Sequence, residues 1–124
     1  MKIEVSNGEL LDKLSILEIK KQKITDKDKL KHIETERGHL ETLAFSLHFP
    51  LTDPSYIRLR EINSLLWDIE DNIRKKEDEQ DFGQEFIQLS RDIYILNDER
   101  FRMKNDINIK TKSLFREQKG HKNT

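Results

Sequence analysis

The sequence predicts an all-α protein, either an antiparallel four-helix bundle or a pair of long helical hairpins, with a short extended N-terminal lead and a frayed basic C-terminal tail. Three observations carry that prediction. Apolar residues recur at three- and four-residue spacing in four separate segments, the period that lines one face of a helix. A helix-start signal precedes each segment. The connections are short, which makes successive helices antiparallel neighbours, and the near-heptad spacing favours crossing angles of about 20°.

Lys2 to Val5 read as the extended lead. Ser6 stands three residues before Glu9, the spacing of a capping box, in which each side chain can satisfy the other's backbone N–H. Leu10, Leu14, Leu17 and Ile24 then share a face, with Leu11 beside them, over a first helix at about 7–23. Thr25 and Asp26 offer the next cap. Leu30, Ile33, Leu40, Leu43, Ala44 and Leu47 carry a second helix over 26–48. Gly38 interrupts it. An interior glycine costs about 1 kcal/mol relative to alanine, so it marks either a close approach of two helices or a weak point.

Phe49-Pro50 ends that helix, because the residue before a proline is pushed out of the helical region. Asp53-Pro54 opens a third over 54–78, with the proline where its missing N–H costs nothing. Its stripe is Leu59, Ile62, Leu66, Ile69 and Ile73, with Tyr56 at the entrance and Trp67 at one edge. Asp81 is placed to cap a fourth over 82–110, whose stripe of Phe82, Phe86, Leu89, Ile93, Leu96, Met103 and Ile107 spans about 40 Å at 1.5 Å per residue. Residues 1–110 thus make one helical domain. Residues 111–124, with Lys112, Arg116, Lys119 and Lys122 against Glu117, make the tail. Several heptads also satisfy a coiled-coil seam, so the last two helices are alternatively a hairpin that pairs with a second copy.

Composition limits the function classes. The 124 residues suit one core, and 23 basic against 24 acidic side chains, interleaved, produce no field that steers toward nucleic acid or membrane. The absence of cysteine excludes disulfides and thiolate metal sites and fits a cytoplasmic place. The charged opening does not suit a signal peptide, and no apolar run reaches membrane-spanning length.

Chemical motifs are sparse. His32, Glu36 and His39 share a helix face, but a di-iron bundle needs a second Glu-x-x-His and two more glutamates, which are missing, so no metal or other cofactor is expected. Asp81-Phe82-Gly83 copies three letters of the kinase magnesium motif without its other parts. The lysines from Lys20 to Lys31 are interrupted by Asp26 and Asp28 and lack interleaved aromatics, which argues against nucleic acid. One arrangement stands out. Asn97, Arg100 and Lys104 run beside the apolar stripe of the fourth helix, Asn63, Glu70 and Arg74 beside that of the third, and Lys13 and Glu18 near Leu17 of the first. Polar groups at a core edge need partners. They form either a seam of interhelical bonds that fixes register, or an anion pocket in which Arg74, Arg100 and Lys104 bind and Glu70 moves a proton.

Three segments carry a resemblance: Glu4 to Lys20 (EVSNGELLDKLSILEIK), Asn63 to Glu77 (NSLLWDIEDNIRKKE) and Phe82 to Asn108 (FGQEFIQLSRDIYILNDERFRMKNDIN). In them the chain resembles a bacterial and phage family of small helical proteins of unknown function. The resemblance points to Glu9, Asp12, Lys13 and Glu18, to Glu70, Asp71 and Arg74, and to Arg91, Tyr94, Asn97, Asp98, Arg100, Lys104 and Asn108. Ser90 and Phe101 depart from it, standing where small alanines are expected, and so does the Arg-Glu-Gln-Lys-Gly-His ending.

Relatives' association with surface-polysaccharide sugar transfer implies an accessory role. The expectation is a helical interaction module, partnered by itself or by a larger sugar-transfer enzyme. A small helical enzyme or anion binder is the first alternative, and a weak nucleic-acid binder the second.

Overall fold

The computed structural model describes residues 3–112. The tail expected beyond Lys112 lies outside them. Four helices follow in order: α1 (Asn7–Lys23), α2 (Lys27–Ser46), α3 (Pro54–Asp78) and α4 (Gln84–Lys110). Among the described residues there is no strand.

Local chemistry explains most boundaries. Ser6 Oγ accepts the Glu9 N–H at 3.1 Å, closing the first turn of α1. Asp26 caps α2 through the Lys29 N–H at 3.0 Å, and Asp53 caps α3 through the Ser55 N–H at 2.8 Å with Pro54 in the first turn. The start of α4 departs from expectation. Asp81 accepts the Gly83 N–H at 3.2 Å, which tightens the turn rather than capping a helix, and α4 begins at Gln84 after an N-cap Gly83 that has no side-chain bond. Phe82 therefore stands before the helix, exposed, with its ring edge-on to Phe86 at 5.2 Å.

The helices form a bundle organised around α1, which packs against all three others. α3 and α4 pair as a hairpin. α2 lies on α1 alone and has no helix–helix contact with α3, so this one pair of successive helices does not neighbour. The connection at 47–53 explains it, because Phe49 turns inward as a core residue and Leu51 packs against the same core. These side chains stand between the end of α2 and the start of α3. The core joins Leu11 and Leu14 of α1, Ala44 of α2, Phe49 of the connection, Tyr56 and Leu59 of α3, and Ile107 of α4.

The ends fix direction. Gly8 N–H donates to Asn108 Oδ1 at 2.6 Å and Asn7 Nδ2 to Thr111 Oγ1 at 2.9 Å, so α1 runs antiparallel to α4. The approach is close: a Cβ on Gly8 would stand 2.3 Å from the Lys104 carbonyl oxygen. Gly38 has no such neighbour within 4 Å, which leaves it as a weak point in α2.

Lengths do not match. α1 has 17 residues against 25 in α3 and 27 in α4, about 25 Å against nearly 40 Å at 1.5 Å per residue. α1 ends at Lys23, whose ammonium reaches Asp68 at 3.3 Å. Beyond that level α3 and α4 continue as a two-helix hairpin. A pair of helices cannot cover its own seam, so Ile69, Ile73, Phe86 and Leu89 are only half-buried there and Ile87 is exposed, while half-buried Ile93 and exposed Tyr94 stand level with the last turn of α1.

Candidate functional site

The polar seam read from the sequence converges on Asp12, a carboxylate of α1 with a side chain 1% exposed. Arg100 of α4 grips it in two places, Nε to Oδ1 at 2.9 Å and Nη2 to Oδ2 at 2.6 Å. Asn63 of α3 donates to the same Oδ1 at 2.9 Å and to Ser15 Oγ at 2.7 Å, and Ser15 donates to the Asp12 carbonyl at 2.7 Å. One turn nearer the start of α1, Lys104 Nζ donates to Glu9 at 2.7 Å. A two-pronged guanidinium and an amide satisfy the carboxylate on three sides, which is what a buried charge needs.

The structure therefore brings Asn63, Arg100 and Lys104 together around α1. Glu18 joins a different group, accepting from Arg60 at 3.3 Å. Lys13, Glu70, Arg74 and Asn97 are exposed, and Arg74 approaches Asp71 at 3.9 Å. Glu70 and Arg74 sit on the hairpin past the end of α1, away from Arg100, whereas Asn97 stands one turn from Arg100, level with α1, on the solvent side. Asp12 and Glu9, which the resemblance points to, are the acids that answer Arg100 and Lys104.

A second polar group was not evident from spacing, because its members lie on three helices. α2 and α3 share core residues but do not pack as a helix pair, and a cleft of about 460 Å³ opens between them over α1, lined by Glu18, Lys21, Gln22, Arg37 and Arg60. Arg37 bonds Glu34 through Nε and Nη2 at 3.2 and 2.6 Å, and also bonds Glu41. With Arg37 and Lys21 beside it, Glu34 has its pKa pulled down to about 2. The Arg60 guanidinium lies over the Tyr56 ring, 5.9 Å from its centroid. The Tyr56 hydroxyl is enclosed near Glu18 without closing a well-formed hydrogen bond, and burial, with the Glu18 charge beside it, pushes its pKa far above 10.

Two further features lie outside both groups. At the α1–α2 turn a groove of about 500 Å³ is lined by Lys21, Lys27, Leu30, Lys31 and Glu34. At the end of α2 an apolar groove of about 450 Å³ is lined by residues that include Phe45, Phe49 and Leu51. None of the three cavities is lined by Arg100 or Lys104. His32, Glu36 and His39 are exposed, and among the described residues no three side chains are grouped to hold a metal ion. Among them, too, no helix is long and apolar enough to cross a membrane.

Neither the curated proteins nor the solved structures contain a match to this chain. A family does: across residues 1–124, the segments that meet as Asp12 with Arg100 and Gly8 with Asn108 included, the chain belongs to the family of unknown function DUF6165.

Proposed function

We propose that this protein is a helical interaction module that associates with a second copy of itself through the α3/α4 hairpin beyond the end of α1. The observation that carries this reading is the length mismatch: the third helix that covers the hairpin near its base stops at Lys23, and the seam continues uncovered. Half-buried Ile69, Ile73, Phe86 and Leu89 with exposed Ile87, bordered at the last turn of α1 by Ile93 and exposed Tyr94, form an apolar surface that two hairpins cover for each other as a four-helix bundle. The closed bonding of Asp12 supports a structural rather than catalytic role for Arg100. The link of the resembled family to surface-polysaccharide sugar transfer supports an accessory role. Light scattering tests the reading: the full chain is expected at dimer mass and Ile87→Glu/Tyr94→Glu at monomer mass. A native chain that stays monomeric at high concentration refutes it, and a larger protein is then the occupant to seek.

The convergence of Lys21, Arg37 and Arg60 on an open cleft favours one second reading, an anion site displaced from the seam to the α1/α2/α3 junction. A thermal-shift screen with sugar phosphates and dicarboxylates tests it. A site filled to 100 times its dissociation constant stabilises by about 2.7 kcal/mol, and Arg60→Ala should abolish the shift.

A further inference from the structure

The polar stripe that grips α1 does not stop where α1 stops. Glu70 and Arg74 follow Asn63 by seven and eleven residues on α3, so both continue the line of residues that hold α1. Both are exposed. The position beside them, which α1 fills lower down, is empty of any helix among the described residues.

We propose that a second copy fills it with its own α3/α4 hairpin, running antiparallel, and that the acidic tip of each hairpin seats in the lysine-rimmed groove of the other copy. The proposal rests on the self-association argued above and adds its register. Glu70 and Arg74 are four residues apart on one face. A two-fold axis passing near Asn72 opposes Glu70 of each copy to Arg74 of the other, the reciprocal match that an isologous contact requires.

That axis has a further consequence. It brings the level of Lys76 in one copy to the level of Asp68 in the other, which is where α1 ends. The tip of one hairpin thereby meets the α1–α2 turn of its mate. The charges there are complementary. Lys27 and Lys31 are exposed and enter no ion pair among the described residues, and they line a groove with Leu30 in which Lys21 and Glu34 already pair with each other. Glu77, Asp78 and Glu79 at the tip are likewise exposed and enter no ion pair among the described residues, while Lys76 is already held by Asp81 and Glu85. Opposite charges facing across an interface fix register and suppress other arrangements.

A charge exchange tests the register in the full chain. Lys27→Glu/Lys31→Glu reverses the groove and Glu77→Lys/Glu79→Lys reverses the tip. Each variant alone should dimerise at least about tenfold more weakly, because both of its junctions become like-charged. Mixed in equal amounts they should form a heterodimer of native affinity, since acidic groove then meets basic tip and basic groove meets acidic tip. Circular dichroism shows that each variant keeps its helices. If both variants dimerise as the native chain does, or if mixing restores nothing, the register is overturned while the self-association stands. A native chain that is monomeric overturns both.

Discussion

Asp12 and Arg100 tie the first helix to the last through two charge-assisted bonds of 2.9 and 2.6 Å, and the carboxylate they serve is shut away from water. Removing the guanidinium leaves that carboxylate with Asn63 as its remaining side-chain partner from another helix. Arg100→Met is expected to cost about 2–4 kcal/mol, near the range for breaking a buried pair, the solvent-facing part of Arg100 reducing it. Asp12→Leu/Arg100→Met should cost less than Arg100→Met alone, because no charge is then stranded. Urea unfolding of the three chains measures both.

Two glycines should respond in opposite directions. Gly8→Ala puts a methyl group 2.3 Å from a backbone oxygen of α4, and no side-chain rotation relieves it. A loss of at least about 2 kcal/mol is expected. Gly38→Ala meets nothing within 4 Å and should gain up to about 1 kcal/mol, the difference in helix propensity. Thermal melts of the two variants beside the native chain decide it.

Stability should hold a plateau through neutral pH and fall at both ends. Arg37 lowers Glu34 to about 2, Arg58 lowers Glu99, and the Ser55 hydroxyl, with Lys110, lowers Asp106. Groups lowered on folding stabilise fully above the ordinary carboxylate range, about 4 to 4.5, and cease to as pH falls toward their folded values. Tyr56, raised by burial, and Lys76, raised by Glu85 and Asp81, act in the other sense. Their contribution is complete below about pH 10 and is lost as pH rises past it. Melting temperature followed across the pH range should trace this shape, and Arg37→Gln should reduce the acid-side slope.

Hydrogen exchange should single out α2. It packs on α1 alone, and between Lys27 and Gly38 only Ile33 is buried. Its amides are expected to exchange at least about tenfold faster than those of α1, through an opening that leaves the rest folded. Equal protection in the two helices would contradict this.

Trp67, the one tryptophan, reports on association. It is half-buried on α3, one residue before Asp68, where α1 ends and the uncovered hairpin begins. Its emission should move to shorter wavelength as concentration rises through the dimer dissociation constant, and Ile87→Glu/Tyr94→Glu should hold it at the monomer position. A spectrum independent of concentration in the dimeric range argues for a different face.

The helices were legible because caps and apolar period are local. Ser6, Asp26 and Asp53 each sit within three residues of the N–H they serve. Asp81 misled because an aspartate two residues before a glycine can close a turn as readily as open a helix, and spacing does not separate the two. The seam was half legible. Arg100, Lys104 and Asn63 are legible from their position beside an apolar stripe, but Glu70 and Arg74 share that stripe and lie outside the seam, because helix length and not helix phase decides which positions α1 reaches. The cleft was not legible at all. Lys21, Arg37 and Arg60 fall on separate helices, and only the failure of α2 and α3 to pack as a pair brings them to one opening.

The bond between the Gly8 amide and Asn108 has a bearing on how the chain is made. A ribosome delivers residue 8 a hundred residues before the one that completes its first helical turn, so α1 can lie on α2 early but gains its α4 partner only when nearly all of this sequence has emerged. Until then the face bearing Asp12 and Glu9 waits without its basic counterparts. The helix made after the other three is the one that locks α1 in place.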